Sequence, residues 1–238
     1  VVHFHKQKGL EEIVILDPQW LTDVMSTIIT TKHNMCSKGT LDHAMLRQIW
    51  RPPNFPEYLH ATLLQLLEKF EISYYLRSTR VGTDIYTGKS LVPSLLPEER
   101  PSELDKAWAR FPRPQEKEFS RKFEFGFIPH GFISRLLCRI LHFAEPSVFW
   151  RYGMLVEKST DGIDDPDHHG SYQILIEAQP ARKVIDIVIR GSSDSRLAQI
   201  ILETISALID GWYSLNVRTM VPCIHCIRDR QYDPFMFS

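Results

Sequence analysis

The stretch Phe127-Ile-Pro-His-Gly-Phe-Ile-Ser-Arg-Leu-Leu-Cys-Arg-Ile-Leu-His-Phe143 constrains the fold more than any other part of the chain. Pro129 pushes Ile128 toward extended backbone, so a new element begins after it. From there Phe132, Ile133, Leu136, Leu137, Ile140 and Leu141 recur at helical spacing, with Arg135, Arg139 and His142 on the opposite side. A helix with such a stripe must bury it against something, so the pattern predicts a packing helix. It carries no visible chemistry. Ser134 lacks a strand-to-helix elbow, and Cys138 sits mid-helix among leucines without an activator. The sequence before the stretch reads as one small domain, and the sequence after it as half of another.

At 238 residues the length admits one or two domains. A hydrophobic share of 43% and a charged share of 24% are those of a soluble globular chain able to bury a core. A net charge of -1 gives no pull toward nucleic acid or an anionic membrane. No apolar run reaches the roughly 18 residues that a spanning helix needs, and no signal peptide is visible at the start. Cys36, Cys138, Cys223 and Cys226 lack the spacing of a disulfide framework, which points to a reducing, cytoplasmic setting. The chain opens on an apparent strand and stops soon after Cys226, which reads as a piece of something longer.

In the first half, Val1–His5 and Glu12–Leu16 are short β-rich runs around Lys8-Gly9. Asp17-Pro18 supplies an N-cap and a first-turn proline, and Trp20, Leu21, Val24, Met25, Ile28 and Ile29 then give one broad helical face. Thr40 is expected to cap a second helix carrying Leu41, Met45, Leu46 and Ile49, ended by Arg51-Pro-Pro-Asn-Phe-Pro56. A third helix, about 57–70, turns Leu63, Leu66, Leu67 and Phe70 inward and leaves Glu57, His60, Gln65, Glu68 and Lys69 on its polar side. Two β-like runs, 71–77 and 87–96, follow. That order predicts a winged-helix-like subdomain. A DNA-reading version would need several Lys or Arg on the third helix, which offers one lysine, so a structural spacer is the favoured reading and nucleic-acid binding the alternative. Gly82-Thr-Asp-Ile-Tyr-Thr-Gly88-Lys89-Ser90 imitates a phosphate-binding loop. It has one residue too many before Gly-Lys-Ser, and Leu91-Val92-Pro93 cannot begin the required helix.

Residues 97–114, with Pro97, Pro101, Pro112 and Pro114, read as a linker that is helical around 102–110 and closes a first domain of 1–114. The second domain, 115–238, opens on alternating Phe119, Phe123, Phe125 and Phe127. After the central helix come β-like runs at 147–158, 171–178 and 181–190, a long helix capped by Ser192-Ser-Asp194 and closed by Gly211, and a returning strand at 212–221. The expected fold is therefore α+β, the second domain being an α/β sandwich whose mixed or antiparallel sheet is covered by two helices. Two helices do not cover both faces of such a sheet. Phe149, Tyr152, Val184 and Val188 are accordingly expected on a face that needs a partner, a second copy of the chain.

Metal chemistry has one foothold. Cys223-Ile-His-Cys226 has the spacing of half a zinc site, and no second Cys-x-x-Cys occurs to complete four ligands. The acidic run Asp161–Gly170 lacks the calcium-loop order and reads as a solvated turn, and His3 and His5 carry no more.

Taken together, Leu16-Asp-Pro18-Gln-Trp20-Leu21, Leu66-Leu-Glu-Lys-Phe70, Leu91-Val-Pro-Ser94, the segment from Phe127 to Leu136, and Trp150-Arg151-x-Gly153 resemble the COR domain of Roco proteins, which include the leucine-rich-repeat kinases. The resemblance implies a Ras-like GTPase (Roc) domain upstream that binds GTP or GDP with magnesium, while this chain holds no cofactor. It implies a homodimer through the second half, often a serine/threonine kinase further on, and a non-catalytic regulatory role. Phe127 falls where a leucine-rich-repeat kinase has a tyrosine packed on the GTPase domain, and Ile128, Pro129, Phe132 and Arg135 complete the implied contact. The Cys223-x-x-Cys226 end is more similar to Roco proteins outside the kinase branch.

Overall fold

The computed structural model describes residues 2–3, 14–30, 36–76, 84–109, 119–144, 146–158, 172–191 and 195–221. The chain divides into two compact units, Val1–Pro97 and Glu98–Ser238. Every strand pairing in both is antiparallel, so the fold is α+β with antiparallel sheets.

The first unit begins with the pair β1 (Val2–His3) and β2 (Val14–Ile15). Helix α1 (Pro18–Ile29) starts where the sequence says it should: the Asp17 carboxylate accepts the Gln19 N–H at 2.9 Å, and Pro18 occupies the first turn. Leu21, Val24 and Ile28 are its buried face. The expected helix at Thr40 is overturned in part. Residues Cys36–Ser37 (β3) and Thr40–Asp42 (β4) form a hairpin, and β4 pairs with Lys89–Leu91 (β6), which also pairs with Tyr74–Tyr75 (β5). Pairing with β6 wins over the Thr40 cap, and Asp42 caps instead, accepting the Ala44 N–H at 3.0 Å ahead of α2 (Leu46–Ile49). Helix α3 (His60–Lys69) buries Leu63, Leu66 and Leu67 in a core shared with α1, Trp50 and Val92. The imitation phosphate loop leads from Gly88 directly into strand β6 and not into a helix N-terminus.

His60 was expected on the polar side of α3, yet it is fully buried. Its surroundings explain why. The Nε2–H donates to the Phe55 carbonyl at 3.1 Å, and the Tyr86 hydroxyl donates to Nδ1 at 3.0 Å, so no polar atom is stranded. His43 repeats the arrangement: its Nδ1–H donates to the Ile85 carbonyl and its Nε2 accepts from the Ser90 hydroxyl, both at 2.8 Å. Two buried imidazoles thus hold residues 85–86 against the core. Burial drives the His43 pKa below the ordinary histidine value, more than the Ile85 carbonyl and Asp42 restore it. With the folded value below the unfolded one, this contribution to stability is complete above the unfolded pKa. It is lost as pH falls through the lowered value. The first unit is expected to lose stability on acidification from pH ~7 to ~5, and His43→Gln to flatten that slope in urea titrations at the two pH values.

In the second unit β7 (Phe119–Phe125), β8 (Pro146–Trp150), β9 (Gly153–Lys158), β10 (Tyr172–Gln179), β11 (Val184–Gly191) and β12 (Val217–Met220) form one sheet in the order β12-β7-β11-β10-β9-β8. The run 147–158, expected as one strand, is a hairpin that turns at Arg151-Tyr152 between the paired Trp150 and Gly153. One face carries Ile174, Ile176, Ile185, Ile187, Ile189, Phe123 and Phe125, all buried. Helices α5 (Phe132–Leu141) and α6 (Ser195–Asp210) pack against each other beside it, Phe132 meeting Phe125 with ring centroids 5.2 Å apart.

The other face is not bare. Helix α4 (Glu103–Ala109), which the composition assigned to a linker, buries Leu104 and Ala107 against Trp150, Leu155 and Leu175. The Gln173 amide donates to the Ala107 carbonyl at 2.8 Å, and the Arg190 guanidinium lies 3.6 Å over the Trp108 ring. Arg100 bridges Asp105 at 2.8 Å and Glu177 at 2.9 Å, and Arg151 pairs with Glu98. A third helix therefore joins the two that were expected.

Candidate functional site

The turn between β7 and α5 is fixed from both sides. Phe125 N–H donates to the Lys183 carbonyl at 2.8 Å, and Gly126 N–H donates to the Asn216 carbonyl at 2.9 Å. Gly131, at φ +80, takes the left-handed conformation before α5, which glycine adopts without the Cβ clash. The Phe132 and Arg135 amides then close the first turn onto Pro129 and Gly131 carbonyls at 3.1 and 2.9 Å. Between these anchors Phe127 points outward and is 58% exposed. An aromatic ring held open on a turn bonded from both sides offers apolar area with little backbone order left to lose on contact.

The five residues assigned to one contact divide by depth. Phe127 is exposed, and Ile128 and Arg135 are half-buried. Pro129 is buried, and Phe132 is fully enclosed between Phe125 and Trp212, the latter centroid 6.3 Å away. Phe132 shapes the site from beneath. Sequence reasoning missed the turn after α6. There Trp212 lies under Arg135, the guanidinium 5.9 Å from the ring, and its indole N–H is buried without an acceptor among the described residues. Tyr213 beside it is fully exposed, and Ser214 sits at φ +62. Two aromatics directly after a helix-ending glycine were the available signal.

The proposed pairing face is also only partly assembled. Val184 and Val188 share the face opposite α5 and α6, where Val184 stands across from Glu124, and Val188 across from Ser120 and Leu175. Phe149 pairs with the buried Met154 and therefore belongs to the other face. Tyr152 lies at the β8–β9 turn, against the Leu104–Trp150 cluster. No described helix covers Val184 and Val188. The neighbours of Val184 are polar: Asp186, Lys122, and Arg218 bonded to Glu124 at 2.8 Å. Cys223, Cys226 and the run Asp161–Gly170 lie outside the described residues, and no metal-binding cluster occurs within them. No described helix is long and apolar enough to cross a membrane.

Comparison with known families separates the same two units. The family model described as C-terminal of Roc, COR-A domain matches residues 1–96, and the C-terminal of Roc, COR-B domain matches residues 116–238. The chain belongs to the COR family of Roco proteins. Three relatives of this COR chain are from Dictyostelium discoideum. It is 42% identical over 230 residues to the probable serine/threonine-protein kinase pats1, covering 95% of this chain and 7% of pats1. It is 28% identical to the probable serine/threonine-protein kinase roco5 (95% of this chain, 12% of roco5). It is 38% identical to the probable serine/threonine-protein kinase qkgA over 66% of this chain and 10% of qkgA. The chain thus spans a small part of these relatives, and the part it matches is COR, which is not a catalytic domain.

Proposed function

We propose that this COR module works without chemistry of its own, coupling an upstream Roc GTPase domain to the remainder of a Roco protein. The observation that carries this reading is Phe127, a ring held 58% exposed on a turn fixed by β11 on one side and the β12 approach on the other. The GTPase surface docks there, on Phe127 and its segment neighbours Ile128 and Arg135. GTP or GDP and magnesium bind in that upstream domain. Nucleotide state alters the docking, and the change is passed to a second copy of the module through the Val184–Val188 face, so that pairing and GTP hydrolysis are linked. The first unit, in which helices α1, α2 and α3 accompany a small antiparallel sheet, supports a winged-helix-like spacer. A serine/threonine kinase further along the parent chain, a cytoplasmic location and an absence of nucleic-acid partners complete the reading.

Sedimentation of the chain across a concentration series, alone and with the separately expressed Roc domain of its parent, tests it. Binding of the Roc domain is expected, together with self-association. Phe127→Ala should weaken the complex by about 1–3 kcal/mol, as removal of an interface aromatic does. A complex indifferent to Phe127→Ala, or a chain that stays monomeric and binds no Roc domain, refutes the docking reading.

A further inference from the structure

Only six polar or charged side chains are buried among the described residues, and three of them, His43, Ser73 and Ser90, line one cavity of about 260 Å³. His43 and Ser90 are bonded to each other at 2.8 Å, so they give the cavity a fixed polar floor and leave ligand recognition to the groups around it. The cavity lies in the first unit, between α3 and the four-stranded sheet, far from the chemistry-free turn at Phe127 in sequence and independent of the docking reading. Its walls have two characters. Leu64, Ile85 and the Tyr75 ring, stacked on His43 at 5.4 Å, supply flat apolar surface. The half-buried Glu68 carboxylate supplies the pocket's charge, and no cation pairs with it among the described residues. Ala61 and Gln65, one turn apart on α3 and both exposed, flank the opening.

We infer that this cavity is a small-molecule site for a planar, N–H-rich heterocycle of the aminopurine or aminopyrimidine class, its amino edge on Glu68 and its ring against Tyr75 and Leu64. The volume suits a ligand of roughly ten to fifteen non-hydrogen atoms, below the size of a whole nucleotide. A phosphate is disfavoured, because Glu68 is the one formally charged group among the described lining residues and His43 already spends both ring nitrogens on Ile85 and Ser90. Bound ligand would brace Ile85 and Ser90, which line the same wall, against α3.

The test uses 2-aminopurine with the full 238-residue chain, read both by quenching of the probe's own fluorescence and by the melting temperature of the chain. Saturable quenching is expected with a dissociation constant of about 0.1–1 mM, as for a fragment-sized ligand, accompanied by a rise in melting temperature. Glu68→Gln should weaken binding about tenfold, the loss expected for one charge-assisted hydrogen bond. Ala61→Trp, which plugs the opening, should abolish it while the empty variant melts as the unmodified chain does. Gln65→Trp serves if the first plug disturbs folding. Benzoate, flat but anionic, should not bind. Absence of saturation at millimolar probe, equal binding of benzoate, or binding that survives both plugs overturns the inference.

Discussion

Gly153→Ala is expected to cost the second unit about 3 kcal/mol or more, the largest stability loss of any single methyl added to the described chain. A Cβ at this position would overlap the Ile176 carbonyl oxygen on the neighbouring strand and come within 2.5 Å of the Trp150 ring. Neither obstacle can yield cheaply. The carbonyl belongs to the backbone of β10, in the middle of the sheet. The ring is 2% exposed and lies in the cluster that seats α4, so displacing it disturbs Leu104 and Leu175 as well. Gly211→Ala is the control, since a Cβ there meets only the Ala207 and Leu208 carbonyls at 3.4 and 3.5 Å, near ordinary contact. Amide hydrogen exchange reads the outcome by region. Protection in β9 and β10 should collapse in Gly153→Ala while α1 and α3, in the other unit, keep theirs. A variant within about 0.5 kcal/mol of the parent would show that the hairpin can shift as a body, which the register does not favour.

That glycine also shows where local pattern stops informing. Helix α1 is legible because its start depends on Asp17 and Pro18, which are its own neighbours in sequence. The α5 stripe and the end of α6 at Gly211 are legible for the same reason. The failures are all at positions decided by a distant partner. Thr40 has the chemistry of a cap, but β6, some fifty residues on, takes it into a sheet. His60 looks like surface until Tyr86 and Phe55 satisfy both its nitrogens. Phe149 and Val188 look alike in a strand; the turn at Arg151-Tyr152 sets Phe149 opposite Met154, and pairing with β10 and β7 sets Val188, so that they face opposite ways. Helix α4 was legible as a helix within the linker, but its place in the second unit was not, because its seat, formed by Trp150, Leu155 and Leu175, comes from strands that follow it. Of the candidate site, Phe127 was singled out through resemblance, whereas Trp212 is set against Phe132 and Arg135 by the chain leading into β12, which pairs with β7.

Phe132→Ala and Phe127→Ala, five residues apart, should fail in opposite ways. Phe132 is fully buried, its ring edge-on to Phe125 and tilted against Trp212. Truncating it opens a void beneath α5 that the sheet cannot close, because Phe125 is fixed by pairing with Val217 and by its bond to Lys183. The expected loss is about 3–5 kcal/mol of unfolding free energy. Phe127, with most of its ring in solvent, should change stability by about 0.5 kcal/mol or less. The distinction decides how a loss of Roc binding is to be interpreted. If the docking reading is right, Phe127→Ala weakens the complex at unchanged urea midpoint, and Phe132→Ala weakens it only in proportion to the unfolded fraction. Phe132→Leu separates these further, since a smaller apolar side chain restores much of the packing without offering any surface. Binding should return with stability. A Phe132→Leu chain that is stable and still fails to bind would mean that the partner reads the shape of the α5 start itself, and Phe132 would then belong to the contact and not to its support.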